Sequence, residues 1–280
     1  MRPERSAPGT IGPPSPQDWE TFLLWARLEG WRVPARELAL YREELADSAF
    51  VLRASDGAAL GFVTVCRHRQ GGWIGNLIVD PARRGEGLGR RLFRHAAGVL
   101  SARGASALWL TASAAGRPLY EECGFREAGR VERWSWRGEV PAPSGGGGGG
   151  GDLYALARAD AAAWGDSRVA LLTLLARGGQ VLAAGRTVAL LQPADELCVL
   201  GPWLSADLCP RANRTVLAQA MTAAAGRDLA VDVIGGSPVR ILLHAAGFRQ
   251  AGETVLMVRG EPGAFRPGEV VALASLGSMG

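Results

Sequence analysis

Arg83-Arg84-Gly85-Glu86-Gly87-Leu88-Gly89-Arg90 carries the chain's clearest chemical spacing. Glycines at alternate positions strip side-chain bulk from a loop, so backbone N–H groups stand bare, and a helix start aims several of them at one point. With arginines alongside, that arrangement suits a polyanion such as a pyrophosphate. Other phosphate chemistries lack their residues. All 31 basic residues are arginine, so there is no Walker A lysine, no pyridoxal phosphate site and no lysine Schiff base. A Gly-x-Gly-x-x-Gly dinucleotide loop would need glycine at 92, which is leucine. What remains is Arg84-x-x-Gly87-x-Gly89, with an ordinary strand-turn-helix connection as the bland alternative.

The elements that must position this loop are legible around it. Leu77-Ile78-Val79 reads as an apolar strand ending in a turn at Asp80-Pro81. Leu88, Leu92, Phe93, Ala96, Val99 and Leu100 recur at the spacing of one helical face, with Arg90, Arg91 and Arg94 on the other. Gly104 supplies a stop, and Ala107–Leu110 reads as a short buried strand. A small helix carrying Tyr120-Glu121-Glu122-Cys123-Gly124-Phe125 follows, then a strand-like run from Val131 to Trp136. Upstream, Trp19, Phe22, Leu23 and Ala26 predict a first helix, which runs into Glu29-Gly30-Trp31.

Strand, phosphate loop, helix, strand and Tyr-x-x-x-Gly-Phe, in that order over residues 16–138, resemble the GNAT superfamily of acyl-CoA N-acyltransferases. The resemblance implies acetyl-CoA as acyl donor. It places the pantetheine arm against the strand end Leu77, Ile78 and Val79, and the pyrophosphate on the amides of Arg84, Gly85, Glu86, Gly87, Leu88, Gly89 and Arg90. It sets Tyr120 near the thioester sulfur, where a phenol can protonate the leaving thiolate while a strand N–H near Ile78 or Val79 stabilises the oxyanion. Many members carry a carboxylate on the strand entering the loop; Trp73–Val79 has none. Either a base comes from elsewhere, with Glu29 the candidate, or water relays the proton. Asn76 could orient that water or the acceptor, and Trp31 lies in the acceptor region.

Pro141-Ala142-Pro143-Ser144 and seven glycines, Gly145–Gly151, read as a tether. Thirteen such residues span roughly 20 Å. The expected organisation is a flexible lead-in over 1–15, a catalytic domain over 16–138, a linker over 139–151 and a second domain over 152–280. The flanks look like copies. Gly124-Phe125-Arg126-Glu127-Ala128-Gly129 recurs as Gly247-Phe248-Arg249-Gln250-Ala251-Gly252, and the face Leu88, Leu92, Phe93, Ala96 and Leu100 recurs as Ala212, Val216, Leu217, Ala220 and Ala224. The expected fold is therefore α/β (α+β), two tandem GNAT domains, each a mixed, mostly antiparallel sheet flanked by helices.

The chemistry is not duplicated. Leu200–Arg211 has one glycine where the loop should fall, Pro202 and Pro210 lack N–H donors, and Leu243 stands where Tyr120 does. The second half is expected to close over the acceptor, contribute contacts or make a subunit interface, including that of a homodimer. Glu29-Gly30-Trp31, Gly116–Tyr120 and Leu200–Trp203 together resemble the bacterial YitH-like subgroup, with a catalytic first and a degenerate second GNAT domain.

Composition adds exclusions. Apolar residues make up 48% and charged residues 21%, an ordinary globular balance. No run reaches the roughly 18 apolar residues of a membrane span, and Met1–Glu4 does not open a signal peptide. Cys66, Cys123, Cys198 and Cys209 form no Cys-x-x-Cys pair, and His68, His95 and His244 lie far apart, arguing against a metal and for a cytoplasmic protein. A net charge of +4 from scattered arginines does not make a nucleic-acid stripe. The expected activity is transfer of an acetyl group to an amine of a small molecule or an exposed amino group. A non-catalytic acyl-CoA sensor is the alternative.

Overall fold

Ser15 and Asp18 close a reciprocal cap on the first helix: the Ser15 hydroxyl accepts from the Asp18 N–H, and the Asp18 carboxylate accepts from the Ser15 N–H. Pro16 at the first helical position completes this start. The computed structural model describes residues 9–138, 150–195, 197–224 and 226–280. The expected linker at 139–151 lies outside them except for Gly150 and Gly151, as do residues 1–8 of the expected lead-in. The rest of that lead-in is not loose: Thr10–Gly12 form β1.

The first half continues with α1 (Pro16–Leu28), α2 (Ala35–Glu43), β2 (Ala49–Arg53), β3 (Ala59–Arg67), β4 (Gly71–Val79), α3 (Leu88–Ala102), β5 (Ala107–Ala112), α4 (Arg117–Glu122) and β6 (Arg126–Trp136). The second comprises α5 (Leu153–Trp164), α6 (Val169–Ala176), β7 (Gln180–Ala184), β8 (Thr187–Ala194), β9 (Leu197–Ser205), α7 (Pro210–Ala224), β10 (Asp228–Ile234), α8 (Val239–Ala245), β11 (Arg249–Gly260) and β12 (Val270–Ala272). The predicted helices and strands fall on these elements. The helix stop at Gly104 is a left-handed residue at φ 80°, and Leu243 lies on α8 with its side chain fully buried.

The expected tandem of two similar mixed, mostly antiparallel halves holds, with one revision: the halves share one 12-stranded sheet, ordered β1-β2-β3-β4-β5-β11-β6-β10-β12-β9-β8-β7. Strand β11 of the second half lies between β5 and β6 of the first, and β6 lies between β11 and β10. Each half thus completes its sheet with the other's strand. The parallel pairs are β4 with β5 and β9 with β10; the other pairings between strands are antiparallel.

Strand alternation sorts the core into layers. On β3, Phe62 and Cys66 pack with Trp19 and Phe22 of α1, while Val63 and Val65 pack with Leu92, Phe93 and Leu100 of α3. The α1 layer also takes in Trp164, Leu171 and Leu172 of the second half, so the halves share a core as well as a sheet. α7 packs separately, its Val216 and Leu217 beside Trp136 and Trp203.

Candidate active site

β4 and β5 pair only at Gly71–Ala107, Gly72–Leu108 and Trp73–Trp109. Beyond Trp73 they diverge, and Ile74–Val79 have no ladder partner on that side. On the other side β4 is bulged. Phe62 faces Ile78 and Thr64 faces Gly75, so Asn76 and Leu77 together oppose Val63. Asn76 takes a left-handed φ of 51°, and its side chain donates to the Thr64 hydroxyl at 3.2 Å. The bulge re-aims Asn76 and Leu77 into the notch between the strands.

The loop past β4 has the form expected of an anion cradle. Gly85 and Gly87 adopt φ of 85° and 80°, and a Cβ at either would meet nothing within 4 Å. Gly87 caps α3 without any side-chain bond. The first bond of that helix runs from the Arg91 N–H to the Gly87 carbonyl at 3.1 Å, so the N–H groups of Leu88, Gly89 and Arg90 have no helical acceptor. Gly89 packs where a Cβ would lie 3.5 Å from Val79 and 3.8 Å from Leu119, seating the helix start on the end of β4. Around the rim Arg83 pairs with Glu86 at 2.7 Å, Arg84 with Glu29 at 2.6 Å, and Arg90 with Glu122. These pairs are solvent-accessible, so an incoming anion can compete for the arginines.

At the head of the notch lies a cleft of about 170 Å³. Tyr120, Asn76, Leu77 and Trp31 line it, which brings together the predicted acid and the predicted acceptor-side residues. Tyr120 is buried, with its ring edge-on to Phe93 at 5.7 Å. Burial, and then the neighbouring Cys123, push its phenol above the ordinary value, so it keeps its proton. Ile78 is buried on the α1 side of the sheet and Val79 is half-buried at the strand end. Glu29 does not line the cleft: its carboxylate pairs with Arg84 on the loop.

Glu37 on α2 lines the cleft and was not singled out by sequence. It is 8% exposed, and burial pushes its carboxyl up to about 7; Asp232 adds to the rise, while Ser278, Arg133 and Asn76 oppose it. A signal was present. Glu37, Leu40 and Tyr41 are the buried residues of α2 and share one helical face, so the carboxylate occupies an apolar register.

The second half supplies another wall. Thr254, Leu276 and Gly277 line the cleft. Their chain is fixed by three bonds: the Leu276 carbonyl accepts from Arg133 at 2.8 Å, the Gly277 carbonyl from Trp73 at 3.0 Å and the Ser278 carbonyl from the Tyr41 hydroxyl at 3.1 Å. A Cβ on Gly75 would fall 2.3 Å from the Ser278 carbonyl oxygen, so only glycine admits this approach.

The matching notch of the second half is filled. β9 and β10 pair in parallel at Leu197–Val199 and then diverge, but β12 enters the gap: Val270 faces Leu204, and Ala272 faces both Trp203 and Val233. The turn from Ser205 to α7 is short and is tied by Asn213, whose amide donates to the Ser205 hydroxyl and the Cys209 carbonyl, both at 3.0 Å. A larger hollow of about 400 Å³ on this half is ringed by Arg158, Arg186, Arg266 and Glu269, without a buried carboxylate or phenol. Among the described residues no group of three His, Cys, Asp or Glu is placed to hold a metal, and no helix is long and apolar enough to cross a membrane.

Residues 17–125 match the model of the acetyltransferase (GNAT) family. A 56-residue segment is 45% identical to the [ribosomal protein bS18]-alanine N-acetyltransferase of Escherichia coli, covering 19% of this chain and 38% of that protein. A 92-residue segment is 39% identical to streptothricin acetyltransferase of Streptomyces lavendulae, covering 31% and 49%. The chain therefore spans less than half the length of these curated relatives. Among solved structures, a candidate acetyltransferase of Pyrococcus horikoshii superposes with a TM-score of 0.79 at 18% identity, covering 100% of this chain and 99% of that one. A tandem GNAT protein from the clavulanic acid biosynthesis pathway gives 0.56 at 14% identity, covering 90% and 98%. At these identities the likeness is one of fold.

Proposed function

Because residues 17–125 match the model of the acetyltransferase (GNAT) family, we propose that the protein moves an acetyl group from acetyl-CoA to a primary amine within a ternary complex. The observation that carries this reading is the continuity of three features: a helix start with open glycines and no side-chain cap, a notch between diverging strands, and a cleft lined by a buried phenol. The donor supplies an acyl group activated as a thioester.

The N–H groups from Gly85 to Arg90, with Arg84 and Arg90 beside them, hold the pyrophosphate. Leu77, Ile78 and Val79 offer backbone groups to the pantetheine arm, and an N–H at Ile78 or Val79 faces the developing oxyanion. Tyr120 keeps its proton until the thiolate leaves, then donates it. Trp31 and Asn76 orient the acceptor amine. A cleft of about 170 Å³ suits a compact amine or the terminal amino group of a longer chain. The relatives' names place both kinds in the test set: a peptide beginning with alanine, and streptothricin.

The test is release of free CoA from acetyl-CoA by the full chain with streptothricin, an alanine-initiated peptide, glucosamine and spermidine. Turnover with at least one amine is expected. Tight acetyl-CoA binding with no turnover on any amine would replace this reading with that of an acyl-CoA sensor.

A further inference from the structure

The strand entering the phosphate loop has no carboxylate, yet an acceptor amine arrives mostly as its ammonium and must lose a proton before it can attack. Resting on the acyl-transfer reading above, we propose that Glu37 is the general base that takes this proton, and that it enters the site from α2 rather than from β4.

Three observations carry the assignment. Glu37 lines the same cleft as Tyr120 and Asn76. Its carboxylate is free of the arginines that hold its peers. Asp18 is paired with Arg53, Glu29 with Arg84, Asp160 with Arg168 and Asp232 with Arg133, whereas no cation among the described residues forms an ion pair with Glu37. Finally, α2 fixes it rigidly: Leu40 and Tyr41 are buried beside it on the same helical face, and the Tyr41 hydroxyl is anchored on Ser278.

The charged and titratable groups facing Glu37 are Arg133 from β6, Asp232 from β10 and Tyr41 from its own helix, with Arg32 and Tyr120 on the same cleft. Arg133 and Asp232 neutralise each other through two 2.7 Å bonds, so burial dominates and leaves the carboxyl poised at about 7. A base poised near the working pH gives the best compromise between being ionised and being basic.

The step balances. The ammonium gives one proton to the Glu37 carboxylate, and the freed nitrogen lone pair bonds to the thioester carbonyl carbon. On collapse the C–S bond breaks, the second amine proton passes to solvent water at the cleft mouth, and the thiolate takes the Tyr120 proton. The products are amide and thiol, and Glu37 and Tyr120 return to their starting states through solvent at the cleft mouth.

The test compares wild type, Glu37→Gln and Glu37→Asp, as full chains, for acetyl-CoA affinity by calorimetry and for kcat against pH with the fastest amine of the panel. The expectation is a wild-type kcat that falls below about pH 7, a loss of about 100-fold in Glu37→Gln with that acid limb abolished, and partial activity with the limb retained in Glu37→Asp. Acetyl-CoA affinity stays within about twofold throughout, which also reports that each variant is folded. A Glu37→Gln variant that keeps the limb, or keeps its turnover, overturns the base while leaving acyl transfer standing. Absence of turnover in wild type overturns the transfer reading itself, and the base with it.

Discussion

Val131 on β6 and Thr254 on β11 lie directly opposite each other in the central ladder. Val131 follows Gly124-Phe125 by the same interval as Thr254 follows Gly247-Phe248, so the two copies of one position meet on a local twofold relation. Around this point each half hands the other its last long strand.

That exchange predicts how the molecule comes apart. If a protease site is inserted at Gly145–Gly149 and cut, the two pieces should stay together on gel filtration, because β5–β11 and β6–β10 remain laddered. A fragment ending at Ser144 and expressed alone should aggregate or remain largely unfolded by circular dichroism, since it exposes the edges of β5 and β6. A well-folded, active monomeric fragment would refute the coupling of the halves.

Arg133 and Asp232 pin the exchange. Asp232 is 2% exposed and accepts two bonds from Arg133, which also holds the Leu276 carbonyl. Arg133→Met strands a buried carboxylate and should cost about 3–5 kcal/mol in denaturant unfolding. Adding Asp232→Leu to it should recover most of that loss. A single variant within 1 kcal/mol of wild type, roughly the value of an exposed pair, would mean that the bond is structurally idle.

Tyr120→Phe should lower kcat about 10–100-fold and leave acetyl-CoA affinity nearly unchanged, because the ring still packs on Phe93 and Phe125 while the proton is gone. Unchanged turnover would remove Tyr120 from the acid role.

Glu37 also makes a prediction independent of catalysis. Its folded value of about 7 stands above the ordinary 4.5, so between those values the folded state holds a proton that the unfolded chain has released. Stability from this group is therefore full below pH 4.5 and lost as pH rises through 7. Glu37→Gln should be more stable than wild type at pH 8, by on the order of 3 kcal/mol, and close to it at pH 4.5. Melting curves at the two pH values measure this; a pH-independent difference would contradict the raised value.

The glycine-rich loop, the helix of Leu92 and Phe93 and the small helix of Tyr120 were legible because each depends on local spacing, and the tandem repeat because its motifs recur in the same order in the second half. The strand exchange was not. It joins Ala107–Ala112 to Val255–Gly260, and periodicity says which face of a strand is buried but not which distant strand lies beside it. The plug at β12 escaped for the same reason: Val270-Val271-Ala272 reads as any short apolar run. Glu29 attracted the base role through its neighbours in sequence, whereas its neighbour in space is Arg84. Glu37 resembled the solvated charge of an ordinary helix, and only its register with Leu40 and Tyr41 hinted that it faces inward.

The most direct test of the central claim, one acyl-CoA site per chain at the loop of the first half, is calorimetric titration of the full chain with acetyl-CoA beside the Gly87→Val variant. Valine strains the left-handed residue that caps α3 and crowds the open N–H groups. Wild type is expected to bind with a stoichiometry of one, and the variant to lose at least about tenfold in affinity, or about 1.4 kcal/mol. Two sites per chain, or unchanged binding in the variant, would contradict the claim.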